Sequence, residues 1–144
     1  MTEFLPGRDT LLDAGPMIAM LSPRDAAHAA VAARWGSEVK RCLTTEAVIV
    51  EATHMVARGR GDHARVLEFV IAAEIPVFAL HLPLHIQCVH LLRRYADTPM
   101  DYADATLVAL ADRLRLTRVF TLDRRGFRTY RGARGLGFEV VPAA

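Results

Sequence analysis

Apolar residues in this sequence follow two patterns: short continuous runs, and longer stretches in which they recur at helical spacing. The short runs are typical of buried strands, and the longer stretches are typical of amphipathic helices. The runs that predict strands cover residues 10–12, the residues leading up to 43, and residues 76–82, 118–122 and 137–141.

Helices are predicted between these strands, where a capping residue or a proline precedes apolar positions at helical spacing. The alternation of strands and helices is typical of βαβ units, whose strands run parallel and whose helices cover the sheet. We therefore predict an α/β fold, a three-layer sandwich with a central parallel β-sheet flanked by helices, as a single domain over residues 1–144. The predicted helix starts are Pro16, Ser22, Thr44 or Thr45, Asp62, Pro83 and Asp101.

The composition agrees with one folded domain that has a sizeable core. Hydrophobic residues make up 52% of the 144 residues, and the formal net charge is +2. No apolar stretch approaches the ~18 residues that a membrane span requires, and the N-terminus lacks the basic and then apolar order of a signal peptide. We therefore expect a cytoplasmic protein without a membrane segment. The two cysteines, Cys42 and Cys88, form neither a disulfide framework nor a paired zinc spacing.

Four acidic residues are predicted to converge on one edge of the sheet. Asp13 follows the first strand and Asp123 follows the fourth, and the carboxyl ends of parallel strands share an edge where ligands bind. Glu51 and Asp104 lie on the inward-facing sides of predicted helices, among apolar residues. Four carboxylates this close repel one another unless a divalent cation compensates them. Because oxygen ligands favour Mg²⁺ or Mn²⁺ over zinc, the pattern indicates a site for one of these ions.

Asp101 stands beside this group of acids, and its role has two interpretations. It lies three residues before Asp104, so the two side chains share one face of the predicted helix. Asp101 either caps the helix by accepting backbone N–H groups or adds a further ligand to the metal site. The sequence leaves both interpretations open.

Basic residues are concentrated in the last part of the chain. Between residues 113 and 134 there are eight arginines and one acid, Asp123. Such a stretch is often only a solvated face, but arginine also binds phosphate through two parallel hydrogen bonds, so nucleic acid is a candidate partner. A metal held by carboxylates beside arginines suits the hydrolysis of a phosphodiester. We predict that Arg124, Arg125 and Arg128, which follow the last acid, contact the phosphates of this nucleic acid.

Four segments resemble the PIN-domain nucleases and, within them, the VapC toxins of bacterial type II toxin–antitoxin pairs. The segments are LLDAGPMIAML, TTEAVIVEATHMV, MDYADATLVALADRL and VFTLDRRGFRTYRG, in this order. The resemblance implies a PIN-like fold and a homodimeric endoribonuclease that depends on Mg²⁺ or Mn²⁺ and is held inactive by a cognate antitoxin protein. By position, Asp13, Glu51, Asp104 and Asp123 resemble the catalytic and metal-binding acids of that family. Thr121 resembles the hydroxyl that accompanies the last acid.

Other classes of phosphate-handling protein lack residues that they need here. A response-regulator receiver needs a lysine late in the chain, but Lys40 is the only lysine. A phosphatase of the haloacid dehalogenase type needs an aspartate two residues after its nucleophile, whereas Gly15 holds that position after Asp13. Two alternatives within the family stay open, namely a housekeeping PIN ribonuclease in RNA processing and a non-catalytic PIN scaffold that binds RNA or protein.

Overall fold

Five short strands form the centre of the structure, a computed structural model that describes residues 5–142. The strands are β1 Thr10–Leu12, β2 Cys42–Thr45, β3 Val77–Phe78, β4 Arg118–Phe120 and β5 Glu139–Val141. All neighbouring pairs are parallel, and the order across the sheet is β3-β2-β1-β4-β5. Residues 1–4 and 143–144, the ends of the predicted domain, lie outside the described residues.

Helices connect these strands and cover the sheet. Their bounds are α1 Ala14–Leu21, α2 His28–Glu38, α3 Glu46–Arg58, α4 Ala64–Ala72, α5 Leu82–Arg94, α6 Tyr102–Leu114 and α7 Arg124–Thr129, with a 3₁₀ turn at Val39–Arg41. The central parallel sheet and its flanking helices confirm the predicted α/β fold. Within residues 5–142, no helix is long and apolar enough to cross a membrane.

The second helix begins later than predicted. The sequence predicts a start at Ser22, but α2 begins at His28. The backbone amide of Ser22 donates to the Ala19 carbonyl and so ends α1, and the Asp25 carboxylate accepts from the Ala27 amide in a turn before α2. Ser22 therefore belongs to the end of one helix and does not cap the next. The other predicted helix starts lie within two residues of the observed ones.

The third strand is shorter than predicted. It covers only Val77–Phe78 of the predicted residues 76–82. The chain then leaves the sheet and begins α5 at Leu82, with Pro83 in the first turn of the helix. Proline is tolerated there because the first amides of a helix have no partner within it. The apolar residues of this run thus divide between the edge of the sheet and the start of a helix.

The chain after the fourth strand also differs from the prediction. β4 ends at Phe120 rather than at residue 122, because the Thr121 hydroxyl accepts the amide of Asp123 at 2.9 Å and turns the chain. Helix α7 follows, although the sequence pattern does not predict it. Asp123 caps α7, since its Oδ1 accepts from the Gly126 amide at 3.1 Å.

Helix α6 is the most deeply buried helix of the described chain. Leu107 and Val108, which follow Asp104 on the predicted inward face, have no exposed surface. Small residues such as Ala105 and Ala109 let the helix approach its neighbours closely, and it packs against α5, α3 and β2. The first turn of α6 therefore carries Asp104 to the carboxyl edge of the sheet, where the burial of its side chain follows from the packing of the whole helix.

An ion pair is buried at the opposite, amino end of the sheet. Arg118, the first residue of β4, donates from Nη2 to Glu38 Oε2 at 2.7 Å, and its Nη1 contacts Glu38 Oε1. The same Nη1 donates to the Thr10 hydroxyl at 2.7 Å. The hydrogen bonds and charge of Arg118 lower the pKa of Glu38, although that residue is only 2% exposed. Here a buried carboxylate is fully compensated by the chain itself.

This pair predicts a strong dependence of stability on Arg118. Replacing it with methionine should lower the free energy of unfolding by about 3 kcal/mol, because the buried Glu38 carboxylate then keeps only the partly exposed Arg34, at 3.3 Å, as a partner. The double variant Glu38→Met with Arg118→Met should recover most of that loss, since no charge then remains in the interior. Urea unfolding of the three proteins measures both effects, and equal losses in the single and double variants would contradict the interpretation.

Candidate active site

Asp13 is the most enclosed acid at the carboxyl edge of the sheet. It follows β1 and caps α1, with Oδ1 accepting from the Ala14 amide at 2.9 Å and Oδ2 accepting from the Thr121 hydroxyl at 2.7 Å. Burial raises the pKa of Asp13, these two hydrogen bonds lower it, and the charges of Asp101 and Asp123 raise it further. The balance is a raised pKa. Both carboxylate oxygens are therefore fixed in place, but the negative charge is not compensated.

Thr121 connects the two acids that follow neighbouring strands. Its hydroxyl donates to Asp13 Oδ2 and accepts from the backbone amide of Asp123. The residue itself is fully buried, and its own amide donates to the Val141 carbonyl at 2.9 Å. The sequence predicts a supporting hydroxyl at this position, and the structure places Thr121 between Asp13 and Asp123.

Asp101 and Asp104 form a reciprocal cap at the start of α6. Asp101 Oδ1 accepts from the Asp104 amide at 2.8 Å, and Asp104 Oδ2 accepts from the Asp101 amide at 3.1 Å. Burial raises the pKa of Asp104 to about 8; the Asp101 amide opposes this, and the charges of Asp101 and Asp13 add to it. The capping interpretation of Asp101 thus matches the geometry, while its charge also acts on the neighbouring acids.

Glu51 reaches the same place from the middle of α3. Its side chain is half-buried, and its Oε1 is buried without a hydrogen-bond partner among the described residues. Burial, followed by the charges of Asp101 and Asp13, raises the pKa of Glu51 to about 7. A buried carboxylate oxygen without a partner is costly, so it is a point where a cation or a proton would be stabilising.

The structure therefore brings together the predicted acids, which we call the acidic cluster. The charges of Asp101 and Asp13 raise the pKa values of Glu51 and Asp104. The charges of Asp101 and Asp123 raise the pKa of Asp13. As the side chains stand, no three histidine, cysteine, aspartate or glutamate residues of the described part are arranged to hold a metal ion. The donor chemistry still fits a hard divalent cation, because the partnerless Glu51 oxygen and the raised pKa values are what an uncompensated group of oxygen ligands produces. The acidic cluster comprises Asp13, Glu51, Asp101, Asp104 and Asp123.

A cavity of about 340 Å³ adjoins the acidic cluster. One wall comes from the loop between α5 and α6, with Asp97, Thr98 and Pro99. The other wall comes from Asp123 and α7, and it includes Arg125. The sequence pattern does not predict this cavity, because the cavity depends on how a loop and an unpredicted helix face each other.

The three arginines predicted to contact RNA have different environments. Arg125 is exposed and lines the cavity, and Arg128 is exposed one turn further along α7. Arg124 is half-buried, and its Nε donates to the Pro142 carbonyl at 3.0 Å. Arg125 and Arg128 therefore present their charge to solvent beside the acidic cluster, whereas Arg124 also ties α7 to the end of the described chain.

Tyr130 and Gly126 belong to the site but were not predicted. Tyr130 is fully buried behind α7, and burial followed by the charges of Asp104 and Asp123 raises the pKa of its hydroxyl. A β-carbon at Gly126 would collide with Asp123 Oδ2 and lie 3.0 Å from the Tyr130 hydroxyl. The signal in the sequence is weak, because a tyrosine seven residues after Asp123 becomes part of the site only through the short helix α7.

Comparison with known proteins assigns the family. The sequence profile of the PIN domain matches residues 10–133. This chain belongs to the PIN-domain family. Ribonuclease VapC26 of Mycobacterium tuberculosis is 30% identical to it over 137 residues, which cover 92% of this chain and 99% of that protein. The predicted resemblance to PIN-domain ribonucleases, and to VapC proteins among them, is thus confirmed.

Solved structures resemble this PIN domain in fold. VapC20 of Mycobacterium tuberculosis, described as a toxin that cleaves the sarcin–ricin loop, matches with a TM-score of 0.70 and 18% identity over 76% of this chain and 86% of that one. VapBC2 of Rickettsia felis, solved with a DNA fragment from its promoter, matches with a TM-score of 0.67 and 9% identity over 91% and 97% of the chains. The predicted PIN-like sandwich is therefore the observed fold.

The raised pKa values predict how the stability of the metal-free PIN domain depends on pH. Glu51 and Asp104 bind protons more tightly in the folded state than in the unfolded state. Their contribution to stability is therefore fully present below about pH 4 and is lost as the pH rises through 7 and 8. Asp104→Asn removes one of these groups but keeps an oxygen for the cap. In EDTA, the difference between its melting temperature and that of the parent should become more positive as the pH is raised from about 5.5 to 8.

The matched control for this measurement is Glu68→Gln, which removes an exposed carboxylate from α4. Its melting temperature should follow that of the parent at both pH values. If Asp104→Asn also follows the parent, then the charge of Asp104 is already compensated in the folded protein and the acidic cluster is not strained by repulsion.

Proposed function

We propose that this PIN domain is a divalent-metal-dependent endoribonuclease that acts as the toxin of a toxin–antitoxin pair. The observation that carries the proposal is the convergence of five carboxylates at the carboxyl edge of the sheet, where two of them have strongly raised pKa values. The buried ion pair at the other end of the sheet makes the contrast clear, because there a carboxylate is compensated by an arginine. A group of acids without such compensation is suited to bind a cation.

The residues that would hold Mg²⁺ or Mn²⁺ are those of the acidic cluster. Asp13, Glu51, Asp104 and Asp123 would supply oxygen ligands, and Asp101 would either add an oxygen or act only as the cap of α6. A divalent cation bound there would lower the pKa of a water molecule and neutralise the scissile phosphate. Metal dependence is supported by the choice of donor atoms, since oxygen ligands alone suit these hard cations.

The chain itself supplies orientation and a proton acceptor. Thr121 and the Ala14 amide fix both oxygens of Asp13, so that this carboxylate keeps its direction without a bound ion. Glu51 Oε1, the partnerless oxygen, is available to a cation or to the proton of an attacking water. Because Glu51 and Asp104 hold protons near neutral pH in the absence of metal, cation binding should release protons.

The exposed arginines give the substrate a path to the acids. RNA is a polyanion, so its approach to five carboxylates is unfavourable unless cations lie nearby. Arg125 lines the cavity beside Asp123, and Arg128 extends the positive charge along α7. We propose that the strand of RNA passes over α7 into this cavity, with its phosphates near these two side chains.

The proposed protein partner is a cognate antitoxin, and the proposed location is the cytoplasm. The fold similarity to VapBC2, together with the identity to VapC26, supports a toxin with such a partner. A homodimer stays a prediction. It is supported by an exposed apolar stripe on α5, formed by Leu82, Ile86 and Val89, which a second copy of the chain would cover.

A housekeeping ribonuclease and a non-catalytic scaffold are the alternatives. The scaffold is disfavoured because five converging carboxylates destabilise a domain that binds no cation. A housekeeping enzyme would have the same site, so only an experiment in cells distinguishes it from a toxin. Expression of the chain alone should stop growth if it is a toxin, and co-expression of the protein encoded by the neighbouring gene should restore it.

Cleavage of circular RNA tests the chemistry directly. A circular RNA has no ends, so its conversion to a linear product requires an endonuclease. We expect the purified protein to linearise it with Mg²⁺ or Mn²⁺ and not with EDTA, and we expect Asp104→Asn to be slower by about 100-fold or more, because it removes a metal ligand. The control Glu68→Gln should cleave as the parent does.

Two results would contradict the proposal. Cleavage that continues in EDTA would mean that the reaction needs no metal ion. Full activity of Asp104→Asn would mean that the acidic cluster takes no part in the reaction. Binding of the circular RNA without any cleavage, with each ion tested, would favour the scaffold.

Neutralising Arg125 tests the proposed RNA path. Arg125→Gln should weaken RNA binding and make its salt dependence shallower by about 0.7 in logarithmic slope, the contribution of one phosphate contact on a single strand. Binding is measured in the Asp104→Asn background so that the RNA stays intact. Arg24→Gln, at an exposed arginine beyond the far end of α1, is the control and should leave the slope unchanged. An unchanged slope for Arg125→Gln would mean that α7 is only a solvated face.

A further inference from the structure

Tyr130 carries a buried hydroxyl for which the described residues provide no hydrogen-bond partner. Its ring is packed edge-on against two other aromatic rings, Tyr95 and Phe127, each with a centroid distance of 5.2 Å. This packing fixes the direction of the hydroxyl. A buried hydroxyl without a partner is destabilising, and a phenylalanine would make the same ring contacts without that cost. Packing alone therefore does not explain the hydroxyl.

The hydroxyl lies against the acidic cluster on the side of α7. A β-carbon at Gly126 would meet the Asp123 carboxylate and the Tyr130 hydroxyl together, so these two groups flank the same small space. The Gly126 amide donates to Asp123 Oδ1, and Oδ2 is the oxygen on the side of the hydroxyl. One oxygen of Asp123 is thus held by the backbone, while the other lies at the same small space as a buried donor that has no acceptor among the described residues.

The Tyr130 hydroxyl can donate, because a tyrosine keeps its proton at neutral pH. Burial raises its pKa, and the negative charges of Asp104, Asp123, Asp101 and Asp13 act in the same direction. A neutral hydroxyl can give one hydrogen bond to a carboxylate without cancelling its charge. Asp123 is an exposed residue, so its carboxylate has room to turn.

We propose that the Tyr130 hydroxyl is a positioning group that donates a hydrogen bond to Asp123 Oδ2 when the acidic cluster closes around a divalent cation. This inference rests on the proposed function, because it assigns the hydroxyl a role in the cation-bound site. Donors behind a ligating carboxylate fix its orientation and strengthen metal binding. Tyr130 and the Gly126 amide would then hold Asp123 by both oxygens, as Thr121 and the Ala14 amide hold Asp13.

Tyr130→Phe separates a positioning role from a structural one. The variant keeps the ring packing and removes a hydroxyl that lacks a partner in the metal-free protein. In EDTA its melting temperature should therefore equal or exceed that of the parent. Its dissociation constant for Mn²⁺, measured by titration calorimetry, should rise by about tenfold, because Asp123 loses a donor that orients it. Cleavage of circular RNA at limiting Mn²⁺ should fall in parallel.

Tyr95→Phe is the matched control, because it removes a hydroxyl that already has a structural partner. Tyr95 Oη accepts from the Arg131 amide at 2.7 Å, and its ring packs on Tyr130. Its loss leaves that amide without a partner, so the melting temperature in EDTA should fall by about 3–5 °C. The Mn²⁺ dissociation constant should stay that of the parent. The two tyrosine variants are thus expected to have opposite effects.

Asp123→Asn tests whether Asp123 is the acceptor, because it keeps the oxygen that caps α7 and replaces the other oxygen with an amide nitrogen. In this background Tyr130→Phe should cause no further loss of Mn²⁺ affinity, because the two groups act on the same oxygen. A further tenfold loss would overturn the assignment of Asp123.

The remaining outcomes also decide the question. An unchanged Mn²⁺ dissociation constant in Tyr130→Phe would overturn the proposal. A melting temperature in EDTA below that of the parent would also overturn it, because the hydroxyl would then be structural. If the parent binds Mn²⁺ and cleaves RNA while the variant matches it, only this inference fails. If the parent binds no Mn²⁺, the proposed function fails together with it.

Discussion

Repulsion between carboxylates at the carboxyl edge of the sheet is the constraint on which this structure depends. Three of the acids, Asp13, Asp101 and Asp123, cap the N-termini of α1, α6 and α7. Each helix N-terminus offers free amides and a partial positive charge of about half a unit. The fold therefore stabilises these three acids close together, because each of them caps a helix. This compensation is incomplete, because Glu51 and Asp104 still have pKa values raised to about 7 and about 8.

The two ends of the sheet treat a buried carboxylate in opposite ways. At the amino end, Arg118 donates two hydrogen bonds to Glu38 and lowers its pKa. At the carboxyl end, Asp13 is comparably buried but receives only a hydroxyl and an amide, and its pKa is raised. The first arrangement stabilises the fold without any ligand. The second costs stability until a cation arrives, which is the general cost of a preorganised binding site.

The sequence was sufficient to predict the sheet and the acids, because both depend on local patterns. Asp13 and Asp123 follow short apolar runs, and Glu51 and Asp104 interrupt apolar faces at helical spacing, so strand order and periodicity indicate where they meet. Features that depend on contacts between distant segments were not predicted. The delayed start of α2 follows from the use of Ser22 to end α1, and the buried pair of Glu38 with Arg118 joins residues 80 positions apart.

Helix α7 shows why the unpredicted features of the active site itself all lie on one side of it. Its six residues contain two arginines and a glycine at the start, a composition that favours a loop, and its formation depends on the Asp123 cap. The cavity wall and the position of Tyr130 then follow from α7.

Thr121 and Tyr130 differ from Arg118 because they are uncharged. A neutral hydroxyl orients a carboxylate without neutralising it. An arginine at either place would form an ion pair with its acid, as Arg118 does with Glu38, and would compete with the cation for the same oxygens. The acidic cluster can keep its charge for a cation because the donors behind it are uncharged.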